Sequence, residues 1–212
     1  MARQDGTMAR EDTGDIRQDP ERDACITATS MFVGITGTTD IGRGIDPESL
    51  QEVLRRAFTL VRTIVSTHGG SVERFIGDAA FAVFGVPEPH VDDALRAVHA
   101  ALEIRAATEA LNTERHHNRD LRLRVRIGIN TGEVTVAGGG VSAGGASGDP
   151  VNVASRLEHA APAGEIFIGG TTYHLVRDSV TASEADPLVV QGRPVPLRVH
   201  RLIGLAAPSP AA

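Results

Sequence analysis

The sequence predicts an α+β domain in which helices cover a mixed, mainly antiparallel sheet. Two β-rich runs, Ser71–Ile76 and Ala79–Val86, are joined by a Gly-Asp pair, which is typical of a tight hairpin. Elsewhere, long segments carry apolar residues at helical spacing. The predicted strands and helices alternate in a mixed order, which favours a largely antiparallel sheet with helices packed on it.

Composition restricts the functional class. A chain of 212 residues suits one sizeable domain with tails, or at most two small domains. The net charge of -6 disfavours non-specific nucleic-acid binding, so we expect no nucleic-acid partner. The single cysteine, Cys25, cannot form a disulfide within the chain. No apolar run approaches the roughly 18–20 residues of a membrane span. We therefore expect a cytoplasmic protein without a membrane partner.

The N-terminal part contains a polar segment followed by a strand. Residues 1–26 are rich in charged and polar residues, which predicts a disordered tail. The β-rich run Ile26–Thr36 predicts a central strand. Gly34 is unexpected inside this strand, because a glycine there loses both packing and conformational entropy.

Two long helices are predicted next. The first begins at Asp46-Pro47, with the aspartate as N-cap and the proline at the first helical position. It ends at Gly69-Gly70, because glycine commonly terminates a helix. The second helix is expected from about Asp92 to Leu111, where apolar residues again recur at helical spacing.

Residues 121–129 alternate between apolar and charged side chains. Arg122, Arg124 and Arg126 share one face, which predicts a strand whose charged face is exposed to solvent or to a partner. We interpret Asn130-Thr131-Gly132 as a turn that leads into a return strand, Glu133–Ala137.

The segment from Gly138 to Gly148 has six glycines in eleven residues, which predicts a mobile loop without regular structure. The domain is expected to cover residues 27–204, and residues 205–212 are expected to be a disordered tail. The remaining predicted elements are helix Val151–Ala161, strand Glu165–Ile168, short helix Thr171–Arg177, and strands near Pro187–Val190 and Leu197–Leu202.

Asp78, in the hairpin turn, is the first candidate functional residue. Both runs of the hairpin are apolar, so we expect both of its faces to be covered. A carboxylate at the tip of a buried hairpin is unfavourable unless a cation or a set of donors meets it. The alternative is that Asp78 only caps the turn with its own backbone. His116 and His117 form a second candidate, but adjacent side chains point apart and a surface loop is the simpler interpretation.

Three motifs, RFIGDAAFAVFG, VRIGINTGEV and SGDPVNVASRLE, follow one another along the chain. Together they resemble the catalytic domain of class III adenylyl and guanylyl cyclases, over about Thr27 to Gly204. Flanking phrases such as HVDDALRA and GEIFIGGTTYHLVRD are similar to the cyclase domain of large actinobacterial regulators, in which it precedes an ATPase module. The resemblance implies a ferredoxin-like, palm-type α+β fold. It also implies conversion of ATP or GTP to a 3′,5′-cyclic nucleotide and pyrophosphate, in cyclic-nucleotide signalling.

The resemblance further implies a site shared between two head-to-tail protomers. One protomer supplies two aspartates that hold two divalent metals, Mg²⁺ or Mn²⁺, and the other supplies residues for the base, the ribose and the transition state. Asp78 matches the second metal aspartate. Asn152 and Arg156 match the ribose and transition-state residues, and Arg74 stands at the base-reading lysine position.

The matched pair Asn152 and Arg156 has a simpler explanation as well. The two residues are four apart, so they share one face of a helix. Ordinary polarity near the start of a helix would explain them without any role in binding. Asp149, which belongs to a Gly-Asp pair that the family also has, is expected to cap this helix.

The sequence departs from the family pattern at three positions. Gly34 stands where the family has its first metal aspartate, and Asp40, six residues later, is not expected to reach the site. Arg74 keeps the charge of the family's lysine but has a different donor geometry. The partner position for base selection falls at Gly145, which has no side chain to read a base.

These departures leave three functional hypotheses open. The domain has little or no cyclase activity as a homodimer, because one metal ligand is missing from each site. Alternatively, it completes a heterodimer with an active cyclase. In the third hypothesis it is a pseudoenzyme, a non-catalytic module that binds a nucleotide or docks a regulatory partner.

Overall fold

Two long strands form the centre of the sheet. In the computed structural model, which describes residues 24–36, 47–114, 122–136, 146–190 and 194–207, they are β1 (Ala24–Thr36) and β4 (Arg124–Val136). They pair antiparallel along their whole lengths. Their middle residues are buried, because other elements cover both faces of the sheet at this point.

The described part of the chain contains six further strands and four helices. The strands are β2 (Ser71–Ile76), β3 (Ala79–Phe84), β5 (Ala146–Ser147), β6 (Ile166–Gly169), β7 (Val180–Leu188) and β8 (Leu197–Leu205). The helices are α1 (Pro47–Thr67), α2 (Asp93–Glu114), α3 (Asp149–Ala160) and α4 (Gly170–Val176). None of these helices is long and apolar enough to cross a membrane.

The strands form one sheet in the order β2-β3-β1-β4-β6-β8-β7, and β5 pairs with β4 outside this path. The β4–β6 pair is parallel and the other described pairs are antiparallel. The predicted α+β fold class, with a mainly antiparallel sheet covered by helices, is therefore confirmed.

Successive residues of β1 point to two different helical layers. Met31 and Val33 join the larger core, in which α1 and α2 cover one face of the sheet. Ala28 and Phe32 join a second core with Val151 of α3, on the opposite face. This alternation follows from the period of two in a strand, so Gly34 faces α3 as well.

The predicted turn at Asn130-Thr131-Gly132 is wrong, because β4 runs straight through these residues. They pair with residues 28–30 of β1. The Thr131 hydroxyl lies 2.9 Å from that of Thr29, so these two buried hydroxyls satisfy each other inside the sheet. At Gly132, an added Cβ would lie 2.6 Å from Cγ of Pro150, so the glycine makes room for α3 instead of making a turn.

The hairpin is confirmed, but its predicted burial is only half right. β2 and β3 are joined at Gly77, which has a positive φ of 61°, and Asp78. β3 is buried, whereas Phe75 and Ile76 of β2 are 38% and 51% exposed. The reason is topological, since β2 is the edge strand of the sheet and has a neighbour on one side only.

Several predicted bounds also change. β1 begins at Ala24, so the end of the predicted disordered tail belongs to the sheet. Ala146 and Ser147, in the predicted glycine-rich loop, form β5. The strand predicted near Pro187–Val190 lies earlier, as β7, and the helix predicted from Val151 begins at Asp149. The predicted N-cap Asp46 lies outside the described residues.

Helix α3 approaches the sheet very closely at Gly128 of β4. A Cβ added at Gly128 would collide with backbone atoms of Ala154 and Glu158 in α3. Backbone cannot move aside as a flexible side chain can, so only glycine allows this approach. The position of α3, and of every side chain it carries, therefore depends on Gly128.

We predict that Gly128→Ala destabilises the domain by about 2–3 kcal/mol, because overpacking a tight contact forces a backbone shift. Urea unfolding at neutral pH measures the change. Gly204→Ala in β8 is the matched control, since an added Cβ there meets no atom within 4 Å. Equal stability of the two variants would contradict the proposed role of Gly128.

Candidate active site

The hairpin turn places Asp78 beside the strand that carries Gly34. Ala79 is the register partner of Gly34, and the Ile35 amide donates a hydrogen bond to the Asp78 carbonyl at 2.9 Å. These contacts fix the backbone of Asp78, while its side chain is exposed. Its carboxylate is therefore available to a ligand at this end of the sheet.

Gly34 faces α3, and the carboxylate of Glu158 fills the space above it. A Cβ added at Gly34 would collide with Oε1 of Glu158, and it would lie 2.9 Å from Cδ. The glycine is therefore what allows the glutamate to extend to this point of the strand. Glu158 belongs to the inner face of α3, with Val151 and Ala154.

Glu158 is a buried acid with a cationic neighbour. Its side chain is 1% exposed, and Nη2 of Arg126 lies 3.1 Å from Oε1. Nδ1 of His159 lies 2.8 Å from Oε2. Burial raises the pKa of the Glu158 carboxyl above its ordinary value, against the lowering effects of Arg126 and His159. The negative charge of Asp78 raises this pKa further.

The Arg126–Glu158 pair is incompletely hydrogen-bonded. Nη2 of Arg126 and Oε1 of Glu158 form an ion pair at 3.1 Å, while Nε of Arg126 has no hydrogen-bond partner among the described residues. The ion pair therefore compensates the buried carboxylate only through one nitrogen of the guanidinium. The predicted solvated face of β4 is accordingly wrong at Arg126, whose side chain is 27% exposed and paired.

Asn152 and Arg156 share one face of α3, as their spacing predicts, and this is the outer face of the helix. Both are exposed, whereas Glu158 is buried on the opposite side of the same helix. Successive helical residues are about 100° apart, so Arg156 and Glu158 point in nearly opposite directions. The structure therefore does not bring Asn152 and Arg156 to Asp78 within one chain.

Arg74 lies on the exposed edge strand β2. Its guanidinium carbon is 5.5 Å from the centre of the Phe81 ring, which is a cation–π contact. The neighbouring Glu73 accepts a hydrogen bond from the Ala146 amide at 3.2 Å, which ties β2 to the segment that leads into α3. Burial raises the pKa of Glu73. Arg74 is thus available at the surface, on the hairpin that also carries Asp78.

The structure does not place most of the remaining candidates. Asp40, Gly145 and the two adjacent histidines, His116 and His117, lie outside the described residues. Within the described ranges, no group of three or more His, Cys, Asp and Glu side chains could hold a metal ion. Gly148, and not Asp149, is the N-cap residue of α3, and Asp149 lies in the first turn of the helix.

The sequence interpretation did not identify Glu158 as a buried acid. A signal was present, because Glu158 is four residues after Ala154 and seven after Val151, on the stripe that packs against the sheet. An acid on an apolar stripe predicts a buried charge that needs a partner. Arg126 could not be identified as that partner without knowing how α3 packs against β4.

We predict that Arg126→Met destabilises the domain by on the order of 3 kcal/mol at neutral pH, because it leaves a buried carboxylate without its cation. A group with a raised folded-state pKa gives stability at acidic pH that is lost as pH rises through that pKa. The defect should therefore shrink as the pH falls towards the ordinary pKa of a glutamate. Urea unfolding at several pH values checks this.

Arg124→Met is the matched control for this prediction, since Arg124 is exposed on the same strand. We expect it to change stability little and without this pH dependence. A pH-independent defect in Arg126→Met would show that lost packing, and not the charge of Glu158, is responsible.

Comparisons with known proteins agree with the resemblance in the motifs. The family model for the adenylate and guanylate cyclase catalytic domain matches residues 21–204. Adenylate cyclase 1 of Rhizobium meliloti is 30% identical over 182 residues, which are 84% of this chain and 27% of that protein. The chain thus spans about a quarter of this relative's length.

Solved structures give the same result for the fold. The adenylyl cyclase CyaB from P. aeruginosa is 28% identical with a TM-score of 0.78, covering 86% of this chain and 96% of that one. The guanylyl cyclase Cya2 is 31% identical with a TM-score of 0.79, covering 87% of this chain and 95% of that one. Because the family model matches most of the chain and the fold agrees, the protein belongs to the class III adenylate and guanylate cyclase catalytic domain family.

Proposed function

We propose that this domain binds ATP or GTP with a divalent cation and, as a homodimer, converts it to a cyclic nucleotide weakly or not at all. The observation that carries this proposal is Gly34, which stands where the family has its first metal aspartate. Similar proteins are named both as adenylate and as guanylate cyclases, so either purine nucleotide is a candidate substrate.

The residues present fit a divalent-cation site with reduced affinity for its ion. Carboxylate oxygens are the ligands that Mg²⁺ and Mn²⁺ prefer, and Mg²⁺ is commonly held by one or two carboxylates together with substrate phosphates. Asp78 offers an exposed carboxylate on a fixed backbone. A bound cation would supply activation of the ribose hydroxyl and neutralisation of the triphosphate. Loss of one anionic ligand weakens cation binding and the stabilisation of transition-state charge by several kcal/mol. This corresponds to a decrease of roughly a thousandfold in rate.

The roles of this chain's other residues require two protomers. In the proposed site, Asn152 orients the ribose, Arg156 stabilises charge at the α-phosphorus, and Arg74 lies near the base. Asn152 and Arg156 face away from the side of α3 that carries Glu158, so a second chain must meet them. This supports a head-to-tail dimer, either of two copies or with another cyclase domain.

A heterodimer is the second candidate function. Asn152 and Arg156 are both exposed, and in this proposal they form the half-site that complements a metal-bearing partner. A non-catalytic module that binds a nucleotide or docks a regulatory partner is the third, and it is favoured if nucleotide binds without any metal dependence.

We predict that the purified wild type is close to background in a Mn²⁺-dependent cyclase assay with ATP and GTP. Gly34→Asp should restore measurable turnover, because it returns the missing carboxylate once the flexible end of Glu158 moves aside. Gly34→Asn is the matched control: it is nearly the same size and must displace Glu158 too, but it brings no charge. Robust activity of the wild type would contradict the proposal. If the wild type and both Gly34 variants are inactive, the missing aspartate is not the only defect, and Arg74 or residues 138–148 contribute to it.

For the heterodimer, we predict that the chain activates a class III cyclase domain that keeps both metal aspartates but has lost its own transition-state arginine. Arg156→Ala should abolish this activation, because it removes the charge that the partner cannot supply. Arg177→Ala is the control, since Arg177 is an exposed arginine beyond α4. An unchanged rate on adding the wild-type chain would end the heterodimer proposal.

A further inference from the structure

We propose that a groove between α1 and the edge strand β2 binds a small carboxylate with an apolar chain, of the kind that a medium-chain fatty acid represents. The groove has a volume of about 530 Å³, which lies within the range of small-molecule sites. It goes beyond the proposed cyclase function, because it lies on the face of the sheet that α1 covers, opposite α3 with Asn152 and Arg156.

The floor of the groove is apolar. Leu54 and Phe58 of α1 are half-buried there, and Phe75 of β2 is 38% exposed. The rings of Phe58 and Phe75 lie 4.7 Å apart, centre to centre. Phe75 is left open because β2 is the edge strand and no further strand covers it. A concave apolar surface favours an apolar ligand, since contact removes this area from water.

The hydroxyl groups in the wall of the groove are already used within α1. The Thr59 hydroxyl donates a hydrogen bond to the Arg55 carbonyl at 2.8 Å, and the Thr63 hydroxyl donates to the Thr59 carbonyl at 3.0 Å. Their donor hydrogens are therefore not available to a ligand. The groove follows α1 from Gln51 to Thr63, which is about 18 Å at the rise of an α-helix. This length suits an extended apolar chain.

The arginines of α1 determine the charge of the ligand. Glu52 accepts hydrogen bonds from both Arg55 and Arg56, so Arg55 already has an anionic partner. Arg62 has no acidic partner among the described residues, and its guanidinium carbon lies 5.2 Å from the centre of the Phe75 ring. This cation–π contact keeps the charge of Arg62 beside the apolar floor. A guanidinium in this place favours a carboxylate, which it can bind through two parallel hydrogen bonds.

The side chains of β2 separate this groove from the candidate active site. Arg74 contacts Phe81 of the second core, on the face of the sheet that α3 covers. The next residue, Phe75, contacts Phe58 of α1 on the opposite face, as the alternation of a strand requires. A ligand against Phe75 therefore leaves Arg74 free, so binding in the groove can be tested independently of any cyclase activity.

The test is a titration of the ¹⁵N-labelled full chain with octanoate, followed by the amide signals in nuclear magnetic resonance spectra. We expect saturable shifts in α1 and β2, with a dissociation constant on the order of 1 mM, as the small number of ligand atoms allows. The uncharged probe 1-octanol has the same chain without the carboxylate. It should bind roughly tenfold more weakly, because it cannot form the charged hydrogen bonds to Arg62.

Two variants and one matched control accompany the titration. Arg62→Gln should weaken octanoate binding roughly tenfold, because it removes the positive charge. Thr59→Glu should abolish binding, since it places a carboxylate in the groove on the same helix face as Arg62. Arg56→Gln is the control: Arg56 is exposed on the same helix but does not line the groove, so the affinity should stay unchanged. All three positions are exposed, so each variant should fold, which circular dichroism verifies.

Absence of saturable octanoate shifts in α1 and β2 would overturn the inference. Equal affinity for octanoate and 1-octanol, or an unchanged octanoate affinity in Arg62→Gln, would overturn it too, because either result would show that Arg62 does not recognise the carboxylate. Self-association of the wild type that Thr59→Glu abolishes, without octanoate binding, would assign the groove to a second copy of the chain instead.

Discussion

The close packing of α3 against β1 and β4 is the constraint on which the candidate site depends. Two glycines permit it in different ways. Gly128 lets the helix backbone approach the strand, and Gly34 lets the Glu158 side chain reach across to the neighbouring strand. Because protein interiors are close-packed, a methyl group at either position must displace something. The same helix carries Asn152 and Arg156 on its outer face, so this packing sets their direction too.

The buried charge of Glu158 links packing to chemistry. Taking a carboxylate out of water is unfavourable, and one incompletely hydrogen-bonded arginine compensates for it only in part. Here the acid lies against Gly34, so the strand position that has no side chain is filled by a side chain from the helix.

The two faces of α3 also explain why the proposed site needs a second chain. The inner face brings Glu158 towards Gly34 and the hairpin turn of Asp78, while the outer face presents Asn152 and Arg156 to solvent. A helix cannot turn both faces towards one ligand. In the function proposed above, the two sets of residues form one site only when a second domain lies against the outer face.

Local periodicity, turn chemistry and short motifs were enough to predict the fold class and the hairpin with Asp78. They also predicted the shared helical face of Asn152 and Arg156 and identified Gly34 as an unusual glycine inside a strand. Local patterns could not reveal that β4 continues through Asn130-Thr131-Gly132, since only pairing with β1 and packing against Pro150 favour an extended chain there. They also could not connect Gly34 with Glu158, 124 positions later in the sequence. That contact arises from strand register and helix packing, which bring distant residues together and which only the tertiary structure decides.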